Sequence, residues 1–322
     1  MSIKTLFRML VMIVAITLSL LFTACVDEVQ IDREFDEAQK LVLYSRLCPQ
    51  LDTTYILLTN TTLLYTSAPQ ETLHPENGVV ELSADGSHWV RAGYLPDKQR
   101  FFLTKQEFPI EEGGTYYIRA SYPGYEDVSA FCTVPRSHDV GFRFDTVSAN
   151  GDVHLGEIYN WPHRDVYAEW RDVPGEANYY ALMQKTLFTH HYFGDGDDPV
   201  ITFYYWDYYT VWMYRNNKDY QYVSDEGCDG ALMRFMVEEN LPEEGSDYWD
   251  DDDEEDDDDD EEETYYLVFL DRGCYLYEKT LNDNDLGLDM NFLLLEPVHI
   301  YTNIENGFGL FGAFCMVPVP AR

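Results

Sequence analysis

The sequence predicts a mainly β protein, and three observations carry that reading. Tyr, Phe and Trp number 26, 18 and 6, together 16% of the 322 residues. Such rings favour pleated, stacking surfaces. Turn dipeptides such as Asn77-Gly78, Asp85-Gly86 and Pro123-Gly124 recur between short apolar runs. Hydrophobic residues make up 45% of the chain, enough for a packed core and against global disorder.

Taken in order, residues 25–39 read as a tether. Lys40–Leu47 and Thr54–Tyr65 read as the first two strands, rich in Leu, Thr and Tyr. Asn77-Gly78 and Asp85-Gly86 bracket a strand at Val79–Ser83, and Trp89–Leu95 follows. Gly113-Gly114 introduces Thr115–Tyr122, and Pro123-Gly124 turns the chain into Asp127–Val134. About six or seven short strands within roughly 100 residues are the pattern of an immunoglobulin-like β-sandwich, assigned to residues 40–137. Pro135 marks its exit.

Residues 138–322 read as a second β-rich domain with few short helices. Its strand candidates are Val153–Tyr159, Asp165–Arg171, Tyr179–Phe188, Ile201–Tyr214, Thr264–Leu270, Cys274–Thr280, Val298–Asn303 and Leu310–Val317. Helical turns are expected near Ala231–Val237 and Asp283–Phe292. No internal repeat is visible.

The N-terminus reads as an address. Lys4 and Arg8 precede an uncharged apolar run, Met9–Phe22, too short for an ordinary membrane-spanning helix and suited to a signal-peptide core over residues 1–24. Phe22-Thr23-Ala24-Cys25 has the form of a bacterial lipobox, with Phe22 in place of the usual Leu. In that reading Cys25 becomes the lipid attachment point. The other reading is an ordinary secretory signal with an incidental cysteine; Cys25 at the end of the apolar run favours the lipoprotein. Acids from Asp27 to Glu37 follow directly, either as a surface-export signal or as a solvated tether. A lipid-anchored soluble body, outside the cytoplasm and facing the cell surface, is the expectation.

Acids number 59 and bases 21, for a formal charge of -38. Duplex nucleic acid and anionic lipid surfaces reward Lys and Arg, so neither is an expected partner. Asp250 through Glu263 are fourteen consecutive acids, inside an insertion at about 243–263. Such a run repels itself and buries no apolar surface, so a disordered, solvated loop is expected. Its charge favours diffuse cation binding. A dedicated Ca²⁺ site needs fixed geometry and a tight turn that the run lacks. Gly194-Asp195-Gly196-Asp197-Asp198 beside His190-His191 reads as a β-turn.

After Cys25, five cysteines remain: Cys48, Cys132, Cys228, Cys274 and Cys315. None forms a C-x-x-C pair, so no zinc site is expected. A Cys48–Cys132 bridge and buried free thiols are both open.

The most unusual segment is Phe203–Tyr214. As a single strand it places Tyr204, Trp206, Tyr208 and Trp212 on one face, yet both faces are aromatic. Tyr and Trp suit a surface that is apolar on one side and polar at the tip. These four residues are candidate ligand or partner contacts; alternatively they pack under the insertion or against the first domain.

No G-x-S-x-G, H-E-x-x-H or Gly-rich phosphate loop occurs, and the eight His are scattered. No cofactor and no catalytic residue is expected. A hydrolase with carboxylates that meet only in three dimensions remains the minor alternative.

Several segments carry a resemblance. They are Lys40-Leu41-Val42-Leu43 after the tether, Pro123-Gly124-Tyr125 with Val128-Ser129-Ala130, and Pro174-Gly175-Glu176-Ala177-Asn178-Tyr179-Tyr180. Ser224-Asp225-Glu226 with Asp229-Gly230 follows. The last runs from Glu296-Pro297-Val298-His299-Ile300-Tyr301-Thr302-Asn303-Ile304 to Asn306-Gly307-Phe308-Gly309-Leu310-Phe311-Gly312. Together they resemble the Bacteroidota outer-membrane lipoproteins catalogued as domain of unknown function four-two-four-nine. The acidic insertion, Cys48 and Cys132 depart from that pattern. The resemblance implies a gene neighbourhood with TonB-dependent receptors, hence an accessory role in nutrient import, and no catalytic residues. An independent adhesin or ligand-binding surface module, cation-assisted through the acidic loop, is the alternative.

Overall fold

The computed structural model describes residues 39–62, 72–150, 153–154, 157–158, 162–192, 201–216, 218–242, 264–282 and 299–320, all within the unit Gln39–Arg322. Cys25, the tether up to Ala38, the acidic run and the helical turn expected at Asp283–Phe292 lie outside the described residues. The fold is mainly β, as the aromatic and turn pattern implies.

The first eight strands are β1 (Leu41–Leu47), β2 (Thr53–Asn60), β3 (Val79–Ser83), β4 (Val90–Arg91), β5 (Gly93–Leu95), β6 (Arg100–Thr104), β7 (Thr115–Ser121) and β8 (Val128–Thr133). One sheet takes the order β1-β2-β6-β5 and the other β4-β3-β7-β8, with antiparallel pairing throughout. This order is compatible with the A-B-E-D and C′-C-F-G sheets of an immunoglobulin-like sandwich. Alternation builds its core. Leu41, Leu43, Leu47, Ile56 and Leu58 enter from one sheet, Val80, Leu82, Ile118 and Ala120 from the other. The expected single strand Trp89–Leu95 is two. Ala92 is buried, donates its N–H to Val80 O at 2.9 Å, and marks where the chain leaves one sheet for the other. β6, short and bounded by no Gly-rich turn, had no sequence-level counterpart.

The remaining elements are β9 (Arg143–Asn150), β10 (Val153–His154), β11 (Glu157–Ile158), β12 (Pro162–Arg171), β13 (Tyr179–Tyr192), β14 (Ile201–Thr210), β15 (Met213–Arg215), β16 (Lys218–Tyr220), β17 (Tyr222–Ser224), β18 (Leu232–Pro242), β19 (Thr264–Leu270), helix α1 (Arg272–Asn282) and β20 (Phe308–Pro318). Among the described residues a five-stranded sheet runs β16-β15-β18-β12-β9. It shares a core with β13 and β19 through Trp170, Tyr180, Met213, Phe235 and Phe269. Trp170 is fully buried and stacks between Phe142 (6.1 Å) and Phe235 (5.6 Å).

The sequence-level boundary at 137/138 lies in the irregular stretch between β8 and β9. β20 crosses back over it. It pairs antiparallel with β19 and parallel with β1, from Val42↔Phe308 to Leu47↔Ala313. The result is one long sheet, β14-β13-β19-β20-β1-β2-β6-β5, with β17 added beside β13. β20 is buried on both faces. Phe311, Ala313 and Cys315 enter the sandwich core, while Leu310, Phe314 and Met316 lie on the other face with Cys274 of α1.

Three sequence expectations are corrected here. Cys274–Thr280, whose alternating Cys, Leu and Tyr suggested a strand, is helical. Asp271 decides this: its Oδ1 accepts the Cys274 N–H at 2.6 Å, a side-chain cap at the helix start. Ala231–Val237, expected as a helical turn, is strand β18 from Leu232 on, because pairing with β12 over Trp170↔Met233 and Ala168↔Phe235 overrides a weak local preference. The described part of the Val298–Asn303 strand, His299–Asn303, is irregular. There Asn303 takes a strand's place: its Oδ1 accepts the Phe311 N–H at 3.0 Å and its Nδ2 donates to Phe311 O at 2.7 Å.

Asp271 also gives the fold a measurable pH dependence. Its Oδ2 accepts the Ala313 N–H at 3.0 Å, and burial pushes its carboxyl up from 3.8 to about 6 despite these bonds. The folded state therefore holds this proton more tightly than the unfolded chain. The contribution is fully present below pH 3.8 and is lost as pH rises through about 6. Relative to Asp271→Asn, the wild-type chain should gain up to about 3 kcal/mol between about pH 7.5 and about pH 4. Urea titrations of both proteins across that range check it; parallel stability curves would sink it.

The five described cysteines are free; Cys48, Cys132, Cys274 and Cys315 are buried and Cys228 is partly accessible. No Cys48–Cys132 bridge is present. Burial pushes the Cys48 thiol up to about 11 and those of Cys132 and Cys274 well above their ordinary value. Thiolates are the reactive form, so these three are inert. N-ethylmaleimide should label Cys228 at least tenfold faster than the other four in the native protein, followed by peptide mass mapping. A second label appearing at the same rate would contradict the packing.

Candidate functional site

The aromatic segment is broken. β14 ends at Thr210, Val211 donates its N–H to Leu182 O at 2.7 Å, and the chain passes into β15 of the other sheet. Met213 points into the core and is fully buried, so the preceding side chain, Trp212, is driven outward and stands 47% exposed. β15 and β16 then form a hairpin whose turn carries Asn216 at φ +53°, a left-handed conformation that Asn tolerates.

Behind Trp212 lies a cleft of about 750 Å³. Its floor is the buried Val223, Met233 and Phe235. One wall is the β15–β16 hairpin with Arg215, Lys218 and Tyr220. Another is α1, which presents Tyr275, Lys279 and Asn282 at i, i+4 and i+7, one helical face. The Tyr275 ring stacks on Tyr179 at 4.7 Å, and Asn282 Nδ2 donates to Gln221 Oε1 at 2.7 Å. Tyr222 and Cys228 also line it, together with Ser224 and the acids Asp219 and Glu226. Burial, then the nearby Glu278 carboxylate, pushes the Tyr222 phenol above its ordinary value, so it stays a neutral hydroxyl. Rings, cations and amides around an apolar floor form a binding surface. Among the described residues, Trp212 is the sequence-predicted contact that lines it.

Tyr208 is half-buried and lies on the sheet face that carries α1. Its ring is 6.0 Å from that of Tyr266, with Lys185 Nζ 5.9 Å away. Tyr204 and Trp206 belong to β14, and their side chains, like Cys25, are outside the described residues. The sequence reading missed Arg215, Lys218, Tyr275 and Lys279. The signal for the last two was a helical spacing within a segment read as a strand.

A second constellation joins Asp172, Asp225 and Asp229, with one carboxylate oxygen of each lying within 4.8 Å of the others. Asp172 accepts the Tyr180 O–H and the Gly230 N–H, both at 2.7 Å. Asp225 accepts the Asn178 N–H at 3.0 Å, and Asp229 the Gly175 N–H at 2.7 Å. Asn178 Nδ2 in turn donates to Val173 O and Glu176 O. The Pro174–Tyr180 turn and the Ser224–Gly230 turn, distant in sequence, are thus tied together. Three carboxylate oxygens could join a hard-cation shell, yet they are half or fewer of the ligands Ca²⁺ takes. What the bonds show is a knot that fixes two loops.

Those two turns are also among the stretches by which the sequence resembles a known family. The model of the family described as Domain of unknown function (DUF4249) matches residues 26–315. The chain belongs to that family. The match spans the first sandwich, the strands that follow it, the knot and most of β20, so the DUF4249 unit is the whole long-sheet architecture. No curated protein matches the chain.

Proposed function

We propose that this DUF4249 chain is a surface-exposed outer-membrane lipoprotein, anchored through Cys25, that acts without catalysis as an accessory to a TonB-dependent nutrient transporter. It captures ligand or contacts the barrel through the surface around Trp212. The observation that carries the binding role is the cleft: an exposed Trp at the mouth of about 750 Å³ lined by rings, three cations, two carboxylates and amides. Exposed Trp and Tyr with buried apolar backing are the residues that dominate binding surfaces. The anchor and address rest on Phe22–Cys25 at the end of the apolar run. The transporter partnership rests on the family resemblance.

The test is a mild-detergent pull-down of the tagged, full-length protein from outer membranes. The expected result is a stoichiometric large β-barrel that is lost with Trp212→Ala, and loss of membrane retention with Cys25→Ser. Recovery of the lipoprotein alone would overturn the partnership. The cleft's small-molecule size would then favour an independent ligand-binding surface module.

A further inference from the structure

We infer that the cleft behind Trp212 binds a small anionic sugar, carboxylated or phosphorylated, with the acid group held between Arg215 and Lys218. This rests on the reading of that cleft as the ligand-contacting surface. The first ground is charge. Acids outnumber bases 59 to 21 in the chain, but among the described residues the cleft lining holds three bases, Arg215, Lys218 and Lys279, against Asp219 and Glu226. The local sign is inverted. A net charge of -38 repels large polyanions at long range, whereas a ligand with one or a few charges responds to the nearest groups, screened over about 8 Å.

The second ground is the hairpin register. Arg215 pairs directly with Lys218 across the β15–β16 hairpin. Like charges directly opposite each other on an antiparallel pair are destabilising. An anion between them converts that repulsion into attraction on both sides. Arg46, Arg119, Arg143 and Arg234 each bind a carboxylate; Arg215 is in none of these pairs. Its guanidinium instead lies 5.5 Å from the Phe235 ring centre. A cation–ring contact of that kind helps to orient the group while leaving its planar fork of donors for an oxyanion.

The third ground is the rest of the lining. Trp212, Tyr220 and Tyr275 supply rings, and Gln221 and Asn282, bonded to each other, keep further amide donors and acceptors suited to hydroxyl groups. The volume is that of a small-molecule site.

Cys228 lines the same cleft and supplies the readout. The detergent-solubilised full-length lipoprotein is labelled with N-ethylmaleimide in the presence of trigalacturonate, glucose 6-phosphate or neutral maltotriose. Trigalacturonate or glucose 6-phosphate should slow Cys228 labelling at least fivefold, and which of them does so identifies carboxylate or phosphate. The protection should weaken at high salt, and maltotriose should give none. Lys218→Glu should remove the protection while the melting temperature holds or rises, since a like-charge pair becomes an ion pair; a merely structural lysine would lower it. Equal protection by maltotriose, no protection by either anion at about 10 mM (near the weakest range of a specific site), or undiminished protection in Lys218→Glu would overturn the inference. Barrel recovery in the pull-down is read separately, so either idea can fail without the other.

Discussion

Gly309→Ala is expected to cost about 4 kcal/mol or more, enough to leave the chain largely unfolded or insoluble at about 37 °C. Gly309 sits in β20 opposite Leu43 of β1, with φ +107°. A Cβ there would lie 2.1 Å from the Leu43 carbonyl oxygen and 2.9 Å from its carbonyl carbon. The obstacle is backbone, which cannot swing aside as a side-chain tip can. The site also lies on the parallel β1–β20 pairing that joins the two halves of the long sheet, so a local shift there propagates along the whole ladder. Gly124→Ala is the control. Gly124 has φ +88°, and an added Cβ would meet nothing within 4 Å, so this variant should show only the conformational penalty of about 1–2 kcal/mol. Guanidinium titrations of both variants make the comparison. Equal losses would mean that the close approach at Leu43 carries no weight.

The second large effect is expected at the carboxylate knot. Asp172→Ala should lose about 3 kcal/mol. Asp172 is 1% exposed and accepts the hydroxyl of Tyr180, itself fully buried. Burial, reinforced by the hydrogen bond to Asp172, pushes the Tyr180 phenol far above its ordinary range, so it donates at every accessible pH. Removing the acceptor leaves that donor unsatisfied in the core, while the Gly230 N–H, on a partly buried turn between the exposed Asp229 and Ala231, is nearer to water. Tyr180→Phe alone should cost about 1 kcal/mol. The double variant should be less destabilised than the two single losses added, because it removes both partners of one bond. Strict additivity in the melting data would show that the Asp172–Tyr180 bond contributes nothing.

Both effects locate the family's motifs in the architecture. Gly309 lets two backbones approach, and Asp172, Asp225 and Asp229 tie the Pro174–Tyr180 and Ser224–Gly230 turns. These motifs hold the scaffold, and the Ser224–Gly230 turn also lends Glu226 and Cys228 to the cleft, whose remaining lining comes from residues outside the motifs. Trp212 was legible because it lies near the end of an unusual run of rings. Its partners were not: Arg215 and Lys218 look like two solvated cations until a hairpin sets them face to face, and Tyr275 and Lys279 looked like strand residues until Asp271 capped a helix.

The sequence by itself determined the β class, the short strands of the first sandwich and the Pro-Gly and Asn-Gly turns, because alternation and turn chemistry act over a few residues. It also determined the acidic excess, which is written directly in residue type. Only the tertiary structure decided that Trp89–Leu95 and Ile201–Tyr214 each divide between two sheets, and that Leu232–Val237 is a strand. It alone decided that β20 returns to β1 and that Trp212 faces a cleft. In each case the deciding term is pairing or burial against residues tens to hundreds of positions away. A window of neighbouring residues does not contain that free energy.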